Sequence, residues 1–148
     1  MTSLLAFRLD EWRCALPLMT VERSYRAVAI TPLPGAPAKI MGIVNVHGVV
    51  HPVIDLRHCF GLPTRPLSPA DHLIIGRTWR RSVALVVNSV EGVFDCAQAD
   101  IAAAETILPD MEYVSGILRL KDGMVLIHDL DRFLSLDEET LLDQALET

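Results

Sequence analysis

The chain is poor in the features that announce most chemistries. It has 148 residues but only three cysteines, Cys14, Cys59 and Cys96, odd in number and with no C-x-x-C pair. That spacing gives neither a disulfide framework nor a zinc knuckle, and reads as small buried thiols in a reducing compartment. Aromatic residues make up 5%. The longest stretch free of Asp, Glu, Lys and Arg is Ile40–Ile54, which holds Asn45, His47, Gly48, His51 and Pro52. It is shorter than the roughly 20 residues a membrane helix needs, so direct membrane insertion is not expected. The N-terminus has no basic region followed by a long apolar run. These absences predict a soluble, cytoplasmic protein. Basic residues number 13 against 19 acidic, a net charge of −6, which argues against a nucleic-acid binder that must neutralise phosphates. No G-x-S-x-G, G-x-G-x-x-G, phosphate-cradling glycine loop or H-E-x-x-H occurs.

What the chain does have is apolar residues, 51% of the total, in short runs rich in Val and Ile. The length suits one domain able to bury a core without disulfides or metal. Strands are expected at Leu4–Leu9, Arg13–Leu18, Ala27–Ile30, Ile43–Val46, Val49–Ile54, His72–Ile75, Val83–Val87, Val114–Leu120 and Met124–Ile127. Several runs are nearly continuous in apolar character, as in strands buried on both faces. His47-Gly48 and Asp122-Gly123 read as hairpin turns, where glycine takes positive φ without steric penalty. Thr31–Pro37 carries three prolines and reads as a stiff extended connection. Asp55 and Asp129 each precede a short helical piece and are expected to cap it. Ser135 and Glu138 form a capping-box pattern for a helix over 136–147, with Leu141, Leu142, Ala145 and Leu146 on its apolar side.

An internal repeat organises these pieces. Shifting positions 40–56 by 74 brings Ile40 onto Val114, Gly42 onto Gly116, Val53 onto Ile127, Asp55 onto Asp129 and Leu56 onto Leu130. A second shift of 69 brings Ala15, Leu16, Val21 and Glu22 onto Ala84, Leu85, Val90 and Glu91. The physical reading is two similar small β-units sharing an apolar seam, each closed so that its edge strands are hidden. The repeat leaves open whether the two units exchange strands.

Candidate chemistry is sparse. His47, His51, His58 and Asp55 invite a metal hypothesis, with His72 and His128 further off, but no known ligand spacing appears. His58-Cys59 could be read as base and nucleophile, although sequence neighbours on a short helix point in different directions. Arg77–Arg81 is a basic, aromatic cluster between two strands and reads as a solvated hairpin tip. Five acids and no base occupy the last twelve residues, on a helix expected to dock its leucine side on the body.

The stretch Ile40-Met41-Gly42-Ile43-Val44-Asn45-Val46-His47-Gly48-Val49-Val50-His51-Pro52-Val53-Ile54-Asp55-Leu56 resembles the signature of the CheW-like family of chemotaxis coupling proteins. The proline-rich Pro32–Pro37, the strand Ala84–Val90, and Gly116-Ile117 followed by Ile127-His128-Asp129-Leu130 resemble it too. The resemblance runs from about Phe7 to Leu134. It implies a mostly β fold of two SH3-like five-stranded β-barrels sharing an apolar core, with short helices and a C-terminal helix. It implies a non-enzymatic adaptor, without cofactor or metal, that couples the cytoplasmic tip of a methyl-accepting chemoreceptor to the regulatory domain of a CheA-type histidine kinase. It implies a receptor-gripping groove between the barrels and a kinase-facing barrel end. Val21, Gly42, Asn45, Val46, His47 and Gly48 are the implied partner-binding positions, with Asp55 and Asp129 structural.

Two departures stand out. His47 occupies a place where the family pattern has Arg; if it substitutes electrostatically, partner binding should tighten toward pH 6. Arg23 follows Val21-Glu22 where Glu is usual, and a one-residue shift on a regular strand would move the carboxylate to the opposite face. Two alternative readings follow: a divergent module of a non-flagellar chemosensory pathway that lacks normal receptor binding, and a small metal-dependent enzyme using the His47–His58 region.

Overall fold

The computed structural model describes residues 1–103 and 112–147. Its strands are β1 (Thr2–Leu9), β2 (Trp12–Pro17), β3 (Val21–Arg26), β4 (Ile40–Val46), β5 (Val49–Ile54), β6 (His72–Arg77), β7 (Ser82–Val87), β8 (Ser89–Cys96), β9 (Ile101–Ala103), β10 (Val114–Leu120) and β11 (Gly123–His128). A one-turn helix α1 covers Leu56–Cys59, and a three-turn helix α2 covers Leu136–Glu147.

The strands form two sheets. β3-β6-β7-β5-β4 is the central barrel, drawn from the middle of the chain. β8-β1-β2-β11-β10-β9 is the terminal barrel, built from both ends. The two units therefore interlace: the first hairpin pairs with the last strands, β2 running parallel to β11. In each unit one continuous segment lines both sheet edges. Past β3 the chain crosses to β4, where the Thr31 N–H donates to Ile43 O at 2.9 Å and the Ile43 N–H to Thr31 O at 2.7 Å. β8 likewise continues through a 3-10 turn, Gln98–Asp100, into β9, which pairs with β10.

The repeat is visible in the register. Ile40 pairs with Ile54 and, after a one-residue slip, Gly42 with Val53; Val114 pairs with His128 and, after the same slip, Gly116 with Ile127. Val53 sits beside Ala84 across a parallel pair, and Ile127 beside Ala15. The glycines explain their own recurrence. A Cβ on Gly42 would lie 2.2 Å from the Thr31 carbonyl oxygen, and one on Gly116 would lie 2.6 Å from Ile101 Cγ2. Both admit the segment that closes their barrel.

Alternate residues on the central strands face different cores, which is why the runs are continuously apolar. Leu4 and Ala15 fill the terminal barrel with Leu118, Val125 and Ile127. Leu73, Ile75 and Ala84 fill the central barrel with Val44 and Val53. Their neighbours Leu5, Leu16, Ile74 and Leu85 meet in a shared seam with Phe7, Leu56, Leu130 and Phe133. Burying each such side chain contributes roughly 1.5–3 kcal/mol.

Two expectations on the strands are corrected. Ala27–Ile30 is not a strand; the strand is β3, just before it. β8 and β9 were also not expected. β3 is an edge strand of mostly exposed, polar residues, and β8 is an edge strand whose apolar Val90, Val93, Phe94 and Cys96 are interrupted by Glu91-Gly92, so neither carries a clean alternating signal.

The basic tip is only partly solvated: Arg77, Trp79 and Arg80 are exposed, while Arg81 is drawn onto α2. Arg81 donates to Glu139 at 2.7 Å and to Asp143 at 2.5 Å, and Arg80 pairs with the same two acids. Lys39 Nζ holds Glu138 at 3.0 Å and the Phe133 carbonyl at 3.1 Å. The capping box forms as expected: the Ser135 N–H donates to Glu138 Oε1 at 2.9 Å and the Glu138 N–H to Ser135 Oγ at 3.2 Å. The buried face of α2 is Glu139, Leu142 and Ala145, while Leu141 and Leu146 are exposed. Its ion pairs rotate the helix so that Glu139, rather than a fourth apolar residue, faces the body.

Candidate functional site

The signature hairpin ends in a two-residue turn between Val46 and Val49. His47 has φ 51° and Gly48 has φ 84°. Two left-handed residues make the turn whose twist matches that of the flanking strands. Glycine accepts this geometry freely; His47 is held in it. The Asn45 side-chain oxygen accepts the Gly48 N–H at 2.9 Å and fixes the turn from below. Val49 and Val50, just past it, are half exposed.

β3 runs past this tip. The Tyr25 and His47 rings lie 5.7 Å apart. β3 carries a bulge: Val21 pairs with Gly76 and Arg23 with Ile75, so Glu22 has no partner of its own. The bulge corrects the expectation that Glu22 turns to the opposite face. An extra residue re-aims the strand, and Glu22 and Arg23 both line one shallow groove of about 340 Å³. Its other walls are Tyr25, Val46, His47, Val49, His51, Ile75 and Ser82. Ser82 Oγ donates to Glu22 Oε1 at 3.0 Å, and Arg77 Nη1 reaches Ser82 Oγ at 3.4 Å. His51 is 6% exposed, and its Nδ1 is buried without a hydrogen-bond partner.

The groove is the mouth of the central barrel, and every residue lining it belongs to that barrel. Near the junction of the barrels is a small, partly open pocket of about 30 Å³, lined by Leu9, Arg57, Arg65, Asp71 and Asn88 among others. Among the six sequence candidates, Val46 and His47 line the mouth, and Asn45 and Gly48 form its rim. Val21 is partly buried against the seam at the start of β3. Gly42 is buried at the barrel closure and presents no side chain to a partner.

The terminal barrel has a counterpart mouth, lined by Ala6, Arg13, Cys14, Glu91, Phe94, Leu120 and Val125. By the repeat, Glu91 takes the place of Glu22, Phe94 of Tyr25, Leu120 of Val46, Val125 of His51, and Arg13 of Ser82. Glu91 is the unpaired residue of the equivalent bulge and is held by Arg8 Nε at 3.2 Å. The recurrence of Val-Glu at 21–22 and 90–91 was the sequence signal that could have found both bulges. Trp12, Leu120 and Met124 are exposed at this end.

The remaining candidates scatter. Asp55 accepts the His58 N–H at 3.2 Å and Asp129 the Asp131 N–H at 3.0 Å. His58 is exposed on α1, His72 lies on β6, and His128 is buried in the seam against Phe7, Phe60 and Phe133. Among the described residues, no three His, Cys, Asp or Glu side chains converge where an ion could sit. Burial pushes the Cys14 and Cys59 thiols up to about 12, which keeps both protonated rather than nucleophilic.

The CheW-like domain model matches residues 3–138. The chain belongs to the CheW-like domain family. A chemotaxis protein CheW of Rhizobium meliloti is 27% identical over 130 residues, 86% of this chain and 84% of that protein. A probable chemotaxis protein CheW of Rhizobium etli is 30% identical over 136 residues, covering 89% and 86%. The crystal structure of the scaffolding protein TtCheW from Thermoanaerobacter tengcongensis superposes with a TM-score of 0.83 at 28% identity, covering 93% of this chain and 94% of that one. The CheW fold, two SH3-like barrels on a shared core, is thus the fold of this chain. No helix among the described residues is long and apolar enough to cross a membrane.

Proposed function

We propose that the chain is a non-enzymatic adaptor of a chemosensory complex, joining the cytoplasmic tip of a methyl-accepting chemoreceptor to the regulatory domain of a CheA-type histidine kinase. The observation that carries this reading is the pair of equivalent barrel mouths at opposite units of one rigid seam. Each offers an open groove, and the two are chemically unlike. The central mouth, with the signature hairpin at its rim, receives the receptor. The terminal mouth, with Trp12, Leu120 and Met124 exposed beside it, packs on the kinase domain. Large exposed aromatic and aliphatic side chains of this kind are the usual anchors of a protein interface. The protonated thiols and scattered histidines supply no reacting group.

The test is reconstitution with the receptor hairpin, the kinase regulatory domain and this chain. The chain should bind each separately and draw both into one complex. Trp12→Ala should abolish kinase binding only, and Val46→Asp receptor binding only. Binding of neither partner, or loss of both on either substitution, would contradict the assignment.

A further inference from the structure

α2 follows the last strand of the terminal barrel but is fastened to the central one. Lys39, the residue before β4, holds Glu138. Arg80 and Arg81 of the β6–β7 turn hold Glu139 and Asp143. On the other flank, a Cβ added at Gly35 of the proline-rich connection would stand 4.0 Å from that of Ala145. Between these walls Leu142, fully buried, enters the seam. The seat of α2 is thus an apolar groove with Lys39, Arg80 and Arg81 on its rim. Among the described residues, every carboxylate paired with those three cations comes from α2. Charge does more than apolar burial to keep the helix there. Its buried apolar residues are Leu142 and Ala145, while Leu136, Leu141 and Leu146 are exposed. With 12 residues, no base in its last turn and Glu147 at its end, it is too short to persist alone, and its second half opposes the helix dipole.

We propose that the seat of α2 is a docking groove for an acidic amphipathic helix of a partner protein, with α2 as the built-in competitor that closes it. Charge complementarity selects the occupant. A helix that carries the spacing of Glu139, Leu142, Asp143 and Ala145 sets two acids against Arg80 and Arg81 and a leucine in the seam. Such a helix trades pair for pair. Its carboxylates take over the rim cations as those of α2 leave for water, so the exchange strands no charge on the barrels. A basic or a wholly apolar helix would leave the three cations unpaired. None of Gly35, Lys39, Arg80 and Arg81 lines either barrel mouth, so the groove is a third surface beyond the two assigned to receptor and kinase.

The probe is a fluorescein-labelled synthetic peptide with the sequence of residues 135–147, titrated with the full chain and followed by fluorescence anisotropy. A groove closed by α2 binds it with an affinity reduced by the fraction of chains that are open. Asp143→Lys in the chain sets a cation against Arg80 and Arg81 and should release α2, raising the affinity for the peptide about tenfold. Leu142→Ser removes the seam anchor, leaves the rim charges untouched, and should act in the same direction. In both variants, amide hydrogen exchange should be faster in α2 while the barrel strands stay protected, which separates release from unfolding. A peptide carrying Glu139→Gln and Asp143→Asn should bind the released chain about tenfold more weakly than the acidic one. A variant that releases α2 yet binds the peptide no more tightly than wild type, or a neutral peptide that binds as well as the acidic one, overturns the docking proposal. An α2 that stays protected in both variants, or barrels that lose protection together with it, shows that α2 is a fixed part of the fold and overturns the proposal as well. In every case the receptor and kinase assignments are unaffected, because they rest on other surfaces.

Discussion

The Arg81 guanidinium clasps Glu139, with Nε at 2.9 Å and Nη2 at 2.7 Å from one carboxylate oxygen, and both side chains are largely withdrawn from solvent. This contact joins the β6–β7 hairpin to α2 and seats Leu142 in the seam. Without Arg81, the buried Glu139 keeps only the longer 3.3 Å contact to the more exposed Arg80. Arg81→Ala should therefore destabilise the protein by roughly 3 kcal/mol in urea unfolding. Arg80→Ala, at a more exposed side chain, should cost about 1 kcal/mol or less. Equal effects of the two would show that α2 is not latched through Arg81.

His128 occupies the place that Ile54 holds in the other barrel, and both its ring nitrogens lack partners. Burial pushes its pKa down to about 3. The unfolded chain takes up a proton near pH 6.5 while the folded chain does not, so stability falls as the pH drops from about 6.5 toward 3, by about 1.4 kcal/mol per unit. Asp10 and Asp143 are held below the usual carboxylate range by hydrogen bonds from Arg57 and Arg81 respectively. Their contribution is lost only at lower pH, below about 4. His128→Leu should stabilise the protein by about 1–2 kcal/mol at pH 7 by removing the unsatisfied ring. It should also flatten the stability profile between pH 6.5 and 4.5. An unchanged slope in denaturant melts across that range would refute this origin of the acid sensitivity.

Three glycines should respond to alanine in a fixed order. Gly42→Ala drives a methyl into the Thr31 backbone and should open the central barrel, with a loss above about 3 kcal/mol. Gly116→Ala meets the Ile101 side chain, which can shift, and should cost roughly 1–3 kcal/mol. Gly48→Ala has open space around it and only its positive φ to oppose it, for a loss of about 1 kcal/mol. Thermal unfolding of the three variants checks the order; a Gly48 variant worse than the Gly42 one would reverse it.

The barrels are also tied by a contact made twice. Arg57 on α1 grips Asp10 of the β1–β2 turn at 2.7 and 2.9 Å. At the repeat-equivalent place, Asp131 accepts the Trp79 N–H of the β6–β7 turn at 2.7 Å. A double-mutant cycle of Arg57→Ala and Asp10→Ala should give a coupling of roughly 1 kcal/mol. No measurable coupling would mean that the seam alone holds the barrels together.

Much of this was legible in the sequence. The repeat, the hairpin turns, the capping box and most strands follow from apolar periodicity and local chemistry, and both offsets reappear as identical registers. What was not legible depended on partners distant in sequence. β3 and β8 are edge strands whose Glu22 and Glu91 bulges break alternation, so neither strand advertises itself. Gly42 belongs to the signature as a partner-surface candidate or as a close-packing position, and the close approach it makes, to Thr31, is set only by barrel closure. The Arg80-Arg81 tip looked solvated because its acids lie on α2, far along the chain. His51 drew notice as a metal ligand, whereas its place in the mouth beside Glu22 and Tyr25 is a tertiary fact.

The most direct test of the docking account is nuclear magnetic resonance of the labelled chain titrated with the receptor hairpin. The account predicts amide shifts concentrated at Glu22–Tyr25, Val46–Val50 and Ser82, with the terminal mouth around Trp12 and Met124 silent until the kinase domain is added. Shifts centred on the pocket near the junction of the barrels, or on the terminal mouth with receptor alone, would contradict it.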